Sequence, residues 1–315
     1  MLKLIRRSLF LLSILAPMAF FPAGAARAAS DGDRLFLWEV QSRTATVYLL
    51  GSIHFAKEDL YPMNPVIQDA FSRSSTLIVE VNLQDIDPSD VQKQFLQKGM
   101  YTDGKSLNTS LSEKAMRILS PFLEKREVQF QRIQMMKPWL LSITLGVMEI
   151  QRLGFDPNLG IDKYFLNLAA QQNKIVQGLE TLESQVQMLA GFSKDLQEKL
   201  LIYTIRDIDK MAGIMEWIID AWSQGDTGAM EEIIFDPQEM KGDMAPVYDK
   251  MFFERNEAMA RKIAGYLSDG ETSFVVVGAG HLVGDRSIVD LLRKDQKAGY
   301  KIRQLTSSTQ AAVSP

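Results

Sequence analysis

The chain contains only two histidines, and both close the same local pattern. His54 ends Thr46-Val47-Tyr48-Leu49-Leu50-Gly51-Ser52-Ile53-His54, and His281 ends Phe274-Val275-Val276-Val277-Gly278-Ala279-Gly280-His281. Each is an apolar, partly β-branched run followed by Gly-x-x-His. Imidazole is the commonest protein metal ligand and the usual acid or base near neutral pH. Two imidazoles at equivalent strand ends predict one site assembled from both halves of the chain. Two carboxylates share the setting. Glu80 closes Leu77-Ile78-Val79, and Glu180 follows Ile175-Val176-Gln177-Gly178-Leu179. Ligands of open α/β sheets bind outside the carboxyl ends of strands. A His/carboxylate set there suits a metal with open positions, as hydrolytic metals require. A glycine before each histidine permits a tight turn and close backbone approach.

His54, Glu80 and His281 are therefore the expected metal ligands. Glu180 is the expected general base or fourth ligand. Arg255 is expected to stabilise an oxyanion or to pair with Glu80 or Glu180. Asp162 is expected to orient a ligand or to start a helix. Imidazole with carboxylate admits Zn, Mn, Co or Fe. Ser52 lies two residues before His54, about 6.6 Å along an extended strand, too far for a direct bond to it.

Several other chemistries are excluded. The chain has no cysteine, which removes disulfides, thiolate nucleophiles and thiolate metal sites. It has neither a G-x-S-x-G elbow nor H-E-x-x-H. Gly278-Ala279-Gly280-His281-Leu282-Val283-Gly284 imitates a dinucleotide loop. Its spacing is wrong, however, and no acid closes the following strand to hold a ribose. Sixteen scattered methionines read as core filler.

The elements that must position these residues are strands over 34–40, 45–51, 76–82, 174–179, 273–277 and 300–305. The first two are expected to form a hairpin. Helical periodicity covers 64–73, 88–98, 112–125, 139–153, 161–172, 182–190, 193–223, 228–234, 248–267 and 288–297. Strands at both ends of a long helical middle predict an α/β or α+β fold. Its central mixed sheet would be flanked by helices and carry a large helical insertion.

Residues 1–28 read as a signal peptide, with Lys3, Arg6 and Arg7 before an apolar stretch and Ala26-Arg27-Ala28 as a cleavage site. The expectation is a periplasmic or secreted protein, with one domain over 29–306 and a frayed tail over 307–315. Cleavage would remove four basic residues and move the formal charge from −4 to −8. That balance argues against nucleic acid as a partner. No later segment has the ~20 apolar residues of a membrane span.

The ordered blocks Leu37-Trp38-Glu39, Leu50-Gly51-Ser52-Ile53-His54, Leu77-Ile78-Val79-Glu80, Lys137-Pro138-Trp139, Gly160-Ile161-Asp162, Gly178-Leu179-Glu180-Thr181, Glu254-Arg255-Asn256 and Gly278-Ala279-Gly280-His281 resemble the TraB/PrgY/GumN family. Its animal relatives include the Tiki membrane metalloproteases. The resemblance implies an erythromycin-esterase/ChaN-like α/β fold and a divalent-metal-dependent peptidase or hydrolase, with both Gly-x-x-His motifs and Glu80 carrying the site. Two alternatives stand beside it. One is metal-free, esterase-like hydrolysis with His54 as base. The other is an exported, non-enzymatic binding protein for metal, haem or polysaccharide.

Overall fold

The computed structural model describes residues 34–309. The expected signal peptide and the last residues of the expected tail lie outside them. Six strands form one sheet: β1 (Arg34–Gln41), β2 (Thr46–Ser52), β3 (Thr76–Val79), β4 (Ile175–Gly178), β5 (Thr272–Gly278) and β6 (Lys301–Thr306). Their order across the sheet is β4-β3-β5-β2-β1-β6. β2, β5, β3 and β4 run parallel, and β1 is antiparallel to both β2 and β6. The expected hairpin forms between β1 and β2. Ser42 Oγ holds its turn by accepting from the Thr44 and Ala45 N–H groups. The fold is α/β with a mixed sheet, as the sequence predicts.

The parallel block explains the apolar runs before each histidine. A parallel strand covered on both faces has no solvent side, so alternation gives way to continuous burial. Residues Phe274, Val275, Val276 and Val277 of β5 are all essentially inaccessible, as are Val47, Leu49 and Leu50 of β2. Phe71, Phe165 and Phe274 form an aromatic cluster on one face, with centroids 4.9–5.5 Å apart. Contacts of that kind add about 0.5–1.5 kcal/mol per pair beyond simple area burial.

The long helical middle is divided by the expected strand β4 into two crossovers. Helix α1 (Pro65–Arg73) joins β2 to β3. Between β3 and β4 lie α2 (Pro88–Gly99), α3 (Leu107–Ser110), α4 (Glu113–Lys125), α5 (Pro138–Arg152) and α6 (Ile161–Gln171). Between β4 and β5 lie α7 (Leu182–Ala190), α8 (Lys194–Asp207), α9 (Met211–Ser223), α10 (Thr227–Ile234), α11 (Ala245–Tyr248) and α12 (Glu254–Tyr266). Helix α13 (Ile288–Lys294) precedes β6. α5 is apolar nearly all round and is buried accordingly.

Two helices depart from the periodicity. The expected helix over 193–223 is interrupted by a 3-10 turn at Ile208–Lys210, which leaves Ile208 and Met211 buried. The expected helix over 248–267 contains a π turn at Asp249–Phe253, immediately before Arg255 and Asn256. A π turn shifts the facing of every later side chain, and such turns recur at functional sites. No helix among the described residues is long and apolar enough to cross a membrane.

Candidate functional site

The carboxyl ends of the parallel strands bring the sequence-selected residues into two connected clusters. The first surrounds His54. β2 ends at Ser52, and the chain then runs against the start of α6, where the Ile161 N–H donates to the Ile53 carbonyl (3.0 Å). A Cβ on Gly160 would lie 2.5 Å from the His54 carbonyl oxygen, so only glycine admits this approach. Asp162, in the first turn of α6, then faces both side chains. Its Oδ1 accepts from His54 Nδ1–H (2.9 Å) and from Ser52 Oγ–H (2.9 Å). Its backbone N–H donates to Ser52 Oγ (3.2 Å). Asp162 thus both starts the helix and orients the imidazole. Ser52 and His54 meet through its carboxylate, not directly. At the end of β2, Trp222 Nε1–H donates to the Gly51 carbonyl (2.6 Å).

The second cluster is centred on Glu80. Strand pairing ends at Val79, but two further bonds extend the register: Leu179 N–H to the Val79 carbonyl (2.8 Å) and Glu180 N–H to the Glu80 carbonyl (2.7 Å). Glu80 and Glu180 are thereby set side by side. Arg255 binds both. Its Nη2 donates to Glu80 Oε2 and to Glu180 Oε2 (2.6 Å each), and its Nε donates to both Glu180 oxygens (3.0 Å each). Its Nη1 donates to the Met251 carbonyl inside the π turn (3.0 Å). Gln185 on α7 donates to Glu180 Oε2 (2.9 Å) and more weakly to Glu80 Oε2 (3.3 Å). The other Glu80 oxygen accepts from the Gly278 N–H at the end of β5 (2.7 Å). As placed, Glu180 anchors Arg255 instead of standing clear as a base.

His281 completes this cluster from the turn after β5. It is fully buried. Its Nδ1 lies 2.6 Å from Asn256 Oδ1, and the Phe252 ring packs against it at 5.4 Å. Its Nε2 has no hydrogen-bond partner and lies 3.7 Å from Glu80 Oε1.

The electrostatics separate the two histidines. Burial works to lower the pKa of His54, but the Asp162 carboxylate outweighs it by charge and hydrogen bond, and Glu80 adds to that effect, so the pKa is raised. Burial and the Arg255 cation push His281 down to about 3, so its imidazole is neutral at pH 7. Burial works to raise the Glu80 carboxyl, but Arg255, the imidazoles and the Gly278 N–H hold it at about 2. Arg255 is raised further above its already high value by the two carboxylates. The site pairs a neutral imidazole with a carboxylate in a nearly water-free setting.

The fit to a cation rests on His281 Nε2. With Nδ1–H donating to Asn256, Nε2 carries a lone pair. Nε2 makes no hydrogen bond and lies 3.7 Å from Glu80 Oε1, the oxygen that accepts from the Gly278 N–H. A divalent ion with ligand bonds of ~2.0–2.2 Å fits between two donors at that separation. Among the described residues, no three His, Asp or Glu side chains converge as a ready-made cage. His281 Nε2 and Glu80 Oε1 are the two donors here that would suit a cation. The charge of His54 acts on both Glu80 and His281.

Sequence reasoning did not assign Gln185 or Asn256 a role. Both nevertheless fall in blocks that carry the family resemblance, Asn256 in Glu254-Arg255-Asn256 and Gln185 just after Gly178-Leu179-Glu180-Thr181.

Comparison with known proteins identifies the family of the chain. The model of the TraB/PrgY/gumN family matches residues 36–304. An uncharacterised protein of Treponema pallidum is 24% identical over 278 residues, covering 84% of this chain and 82% of its own. The uncharacterised protein YbaP of Escherichia coli is 24% identical over 249 residues, covering 78% of this chain and 87% of its own. A protein of Nematostella vectensis named a metalloprotease TIKI homolog is 22% identical over 336 residues, covering 85% of this chain and 66% of its own. No solved structure matches the chain. With a family model spanning both Gly-x-x-His motifs, Glu80, Glu180 and Arg255, the chain belongs to the TraB/PrgY/gumN family.

Proposed function

We propose that the protein is an exported, divalent-metal-dependent hydrolase acting on peptide bonds, with His281, Glu80 and His54 holding the ion. The observation that carries this reading is the buried, unpartnered Nε2 of a neutral His281 facing the Glu80 carboxylate. The metalloprotease name of the TIKI relative supports the reaction class. A metal bound there supplies an activated water and polarises a carbonyl. Asp162 fixes the orientation of the His54 ring through Nδ1. Arg255 neutralises the excess negative charge of Glu80 and Glu180 and keeps Glu80 ionised, as a ligand must be. The Gly278 N–H fixes the rotamer of Glu80.

The test is hydrolysis of a mixed peptide library by the full chain, first stripped with chelator and then given Zn, Mn, Co or Fe(II) singly. Cleavage restored by one of these ions is the expected result. Turnover undiminished by chelator contradicts the reading. One observation favours a second reading, metal-free hydrolysis with His54 as base. Asp162–His54 has the orientation of a carboxylate–imidazole dyad, with Asp162 on Nδ1. Chelator-resistant turnover abolished by His54→Ala is its signature.

A further inference from the structure

His281 owes its orientation to a relay that begins in the next loop. Asn256 Nδ2 donates to the Arg286 carbonyl (2.9 Å). That bond decides which way the amide faces, with nitrogen toward Arg286 and Oδ1 toward the imidazole. An amide oxygen only accepts, so the proton on the facing ring nitrogen belongs to His281 Nδ1.

The Arg286 carbonyl is itself held by an unusual backbone. Arg286 has φ 58, in the left-handed region that residues other than glycine adopt at a cost. Its N–H donates to Asp290 Oδ2 (2.9 Å) and its Nη2 to Glu257 Oε1 (2.8 Å). Its guanidinium lies 3.5 Å from Asp249 and sits over the Phe253 ring, 4.5 Å from the centroid. These contacts over-determine the conformation that presents the carbonyl.

The alternative tautomer would suit the folded chain better if nothing else were needed. A proton on Nε2 would set a polar hydrogen near the Glu80 carboxylate, whose Oε1 lies 3.7 Å away, in a buried site. The chain instead places Asn256 and a strained Arg286 so as to prevent it. We propose that Asn256, locked by the Arg286 carbonyl, is a positioning residue that keeps the His281 proton on Nδ1 and the Nε2 lone pair aimed at the position beside Glu80. Without Asn256 the proton is free to sit on Nε2, which removes the lone pair from that position. The purpose of the device rests on the metal-site reading, but its existence does not.

The experiment is nitrogen NMR of the metal-free full chain labelled in histidine. Only two imidazoles contribute, and His54→Gln assigns them. In the wild type, His281 should show a protonated Nδ1 and an unprotonated Nε2. In Asn256→Leu, which has no acceptor, the proton should appear on Nε2. In Asn256→Asp, which keeps an acceptor, it should stay on Nδ1. Titration with Zn, Mn, Co or Fe(II) ions should show affinity lowered ~10–100-fold in Asn256→Leu, the usual effect of losing a partner that orients a ligand, and largely recovered in Asn256→Asp. A wild-type His281 protonated on Nε2 overturns the proposal without recourse to any variant. So does a folded Asn256→Leu whose tautomer is unchanged. The expected tautomers in a protein that binds none of Zn, Mn, Co and Fe(II) uphold the positioning role and defeat the metal-site reading instead.

Discussion

Arg255→Met should destabilise the folded protein by about 3–5 kcal/mol, the usual cost of stranding a buried charge. Among the described residues, Arg255 is the one guanidinium on Glu80 and Glu180, and all three side chains are buried or nearly so. Methionine fills similar space but leaves two adjacent carboxylates without a cation. An exposed pair such as Arg117–Glu113 would lose only about 0–1 kcal/mol on similar treatment.

The pH dependence gives this prediction a sign. In the wild type the Glu80 pKa is depressed to about 2. Its contribution to stability is therefore fully present above the ordinary carboxylate value of ~4.3 and is lost as pH falls through about 2. In Arg255→Met, burial and the neighbouring Glu180 are left to raise the Glu80 pKa, so the variant gains relative stability on acidification. Urea unfolding at pH 7 and pH 4 measures both effects. The gap between wild type and variant should be largest at pH 7 and narrow at pH 4. A loss below about 1 kcal/mol, or a gap independent of pH, would show that Arg255 does not hold the cluster together.

Asp162→Asn should separate the two readings of the chemistry by magnitude. The substitution keeps the shape but removes the charge that outweighs burial at His54. The asparagine amide can present either its oxygen or its nitrogen to Nδ1, so the tautomer is no longer imposed. If His54 is a metal ligand, the loss is that of an orienting partner, ~10–100-fold in metal affinity, and excess metal restores much of the turnover. If His54 is a general base, the loss follows the carboxylate–imidazole case, ~10⁴-fold in kcat, and metal restores nothing. Metal titration and turnover measured on one preparation distinguish these outcomes. An Asp162→Asn protein equal to wild type in both would remove Asp162, and with it His54, from the site.

The parts of this site visible in the sequence are those that depend on strand ends. Burial on both faces of a parallel strand writes a continuous apolar run, and the polar residue after it stands at the sheet edge. His54, Glu80, Glu180 and His281 could be picked out for that reason alone. The hairpin and the mixed sheet followed from the same patterning. What was not legible depends on contacts between elements distant in the chain. Arg255 was legible as a partner for Glu80 or Glu180, but not that one guanidinium binds both carboxylates at once. The π turn at Asp249–Phe253 has no turn residue to mark it, yet it sets the facing of Arg255 and Asn256. The strand over 174–179 was legible, but its place at the sheet edge beside β3 shows only in the pairing. Ser52 was set aside as too far from His54, and the intermediary, Asp162, comes from a helix 110 positions away.

The central claim is that His54, Glu80 and His281 hold one divalent ion, and metal content tests it most directly. The full chain, loaded with each of Zn, Mn, Co and Fe(II) and then desalted, should retain about one ion per chain for at least one metal. His281→Ala and His54→Ala, each shown to be folded, should retain almost none. A wild-type protein that retains no metal under any of these loadings, or single-histidine variants that retain as much as wild type, would contradict the account.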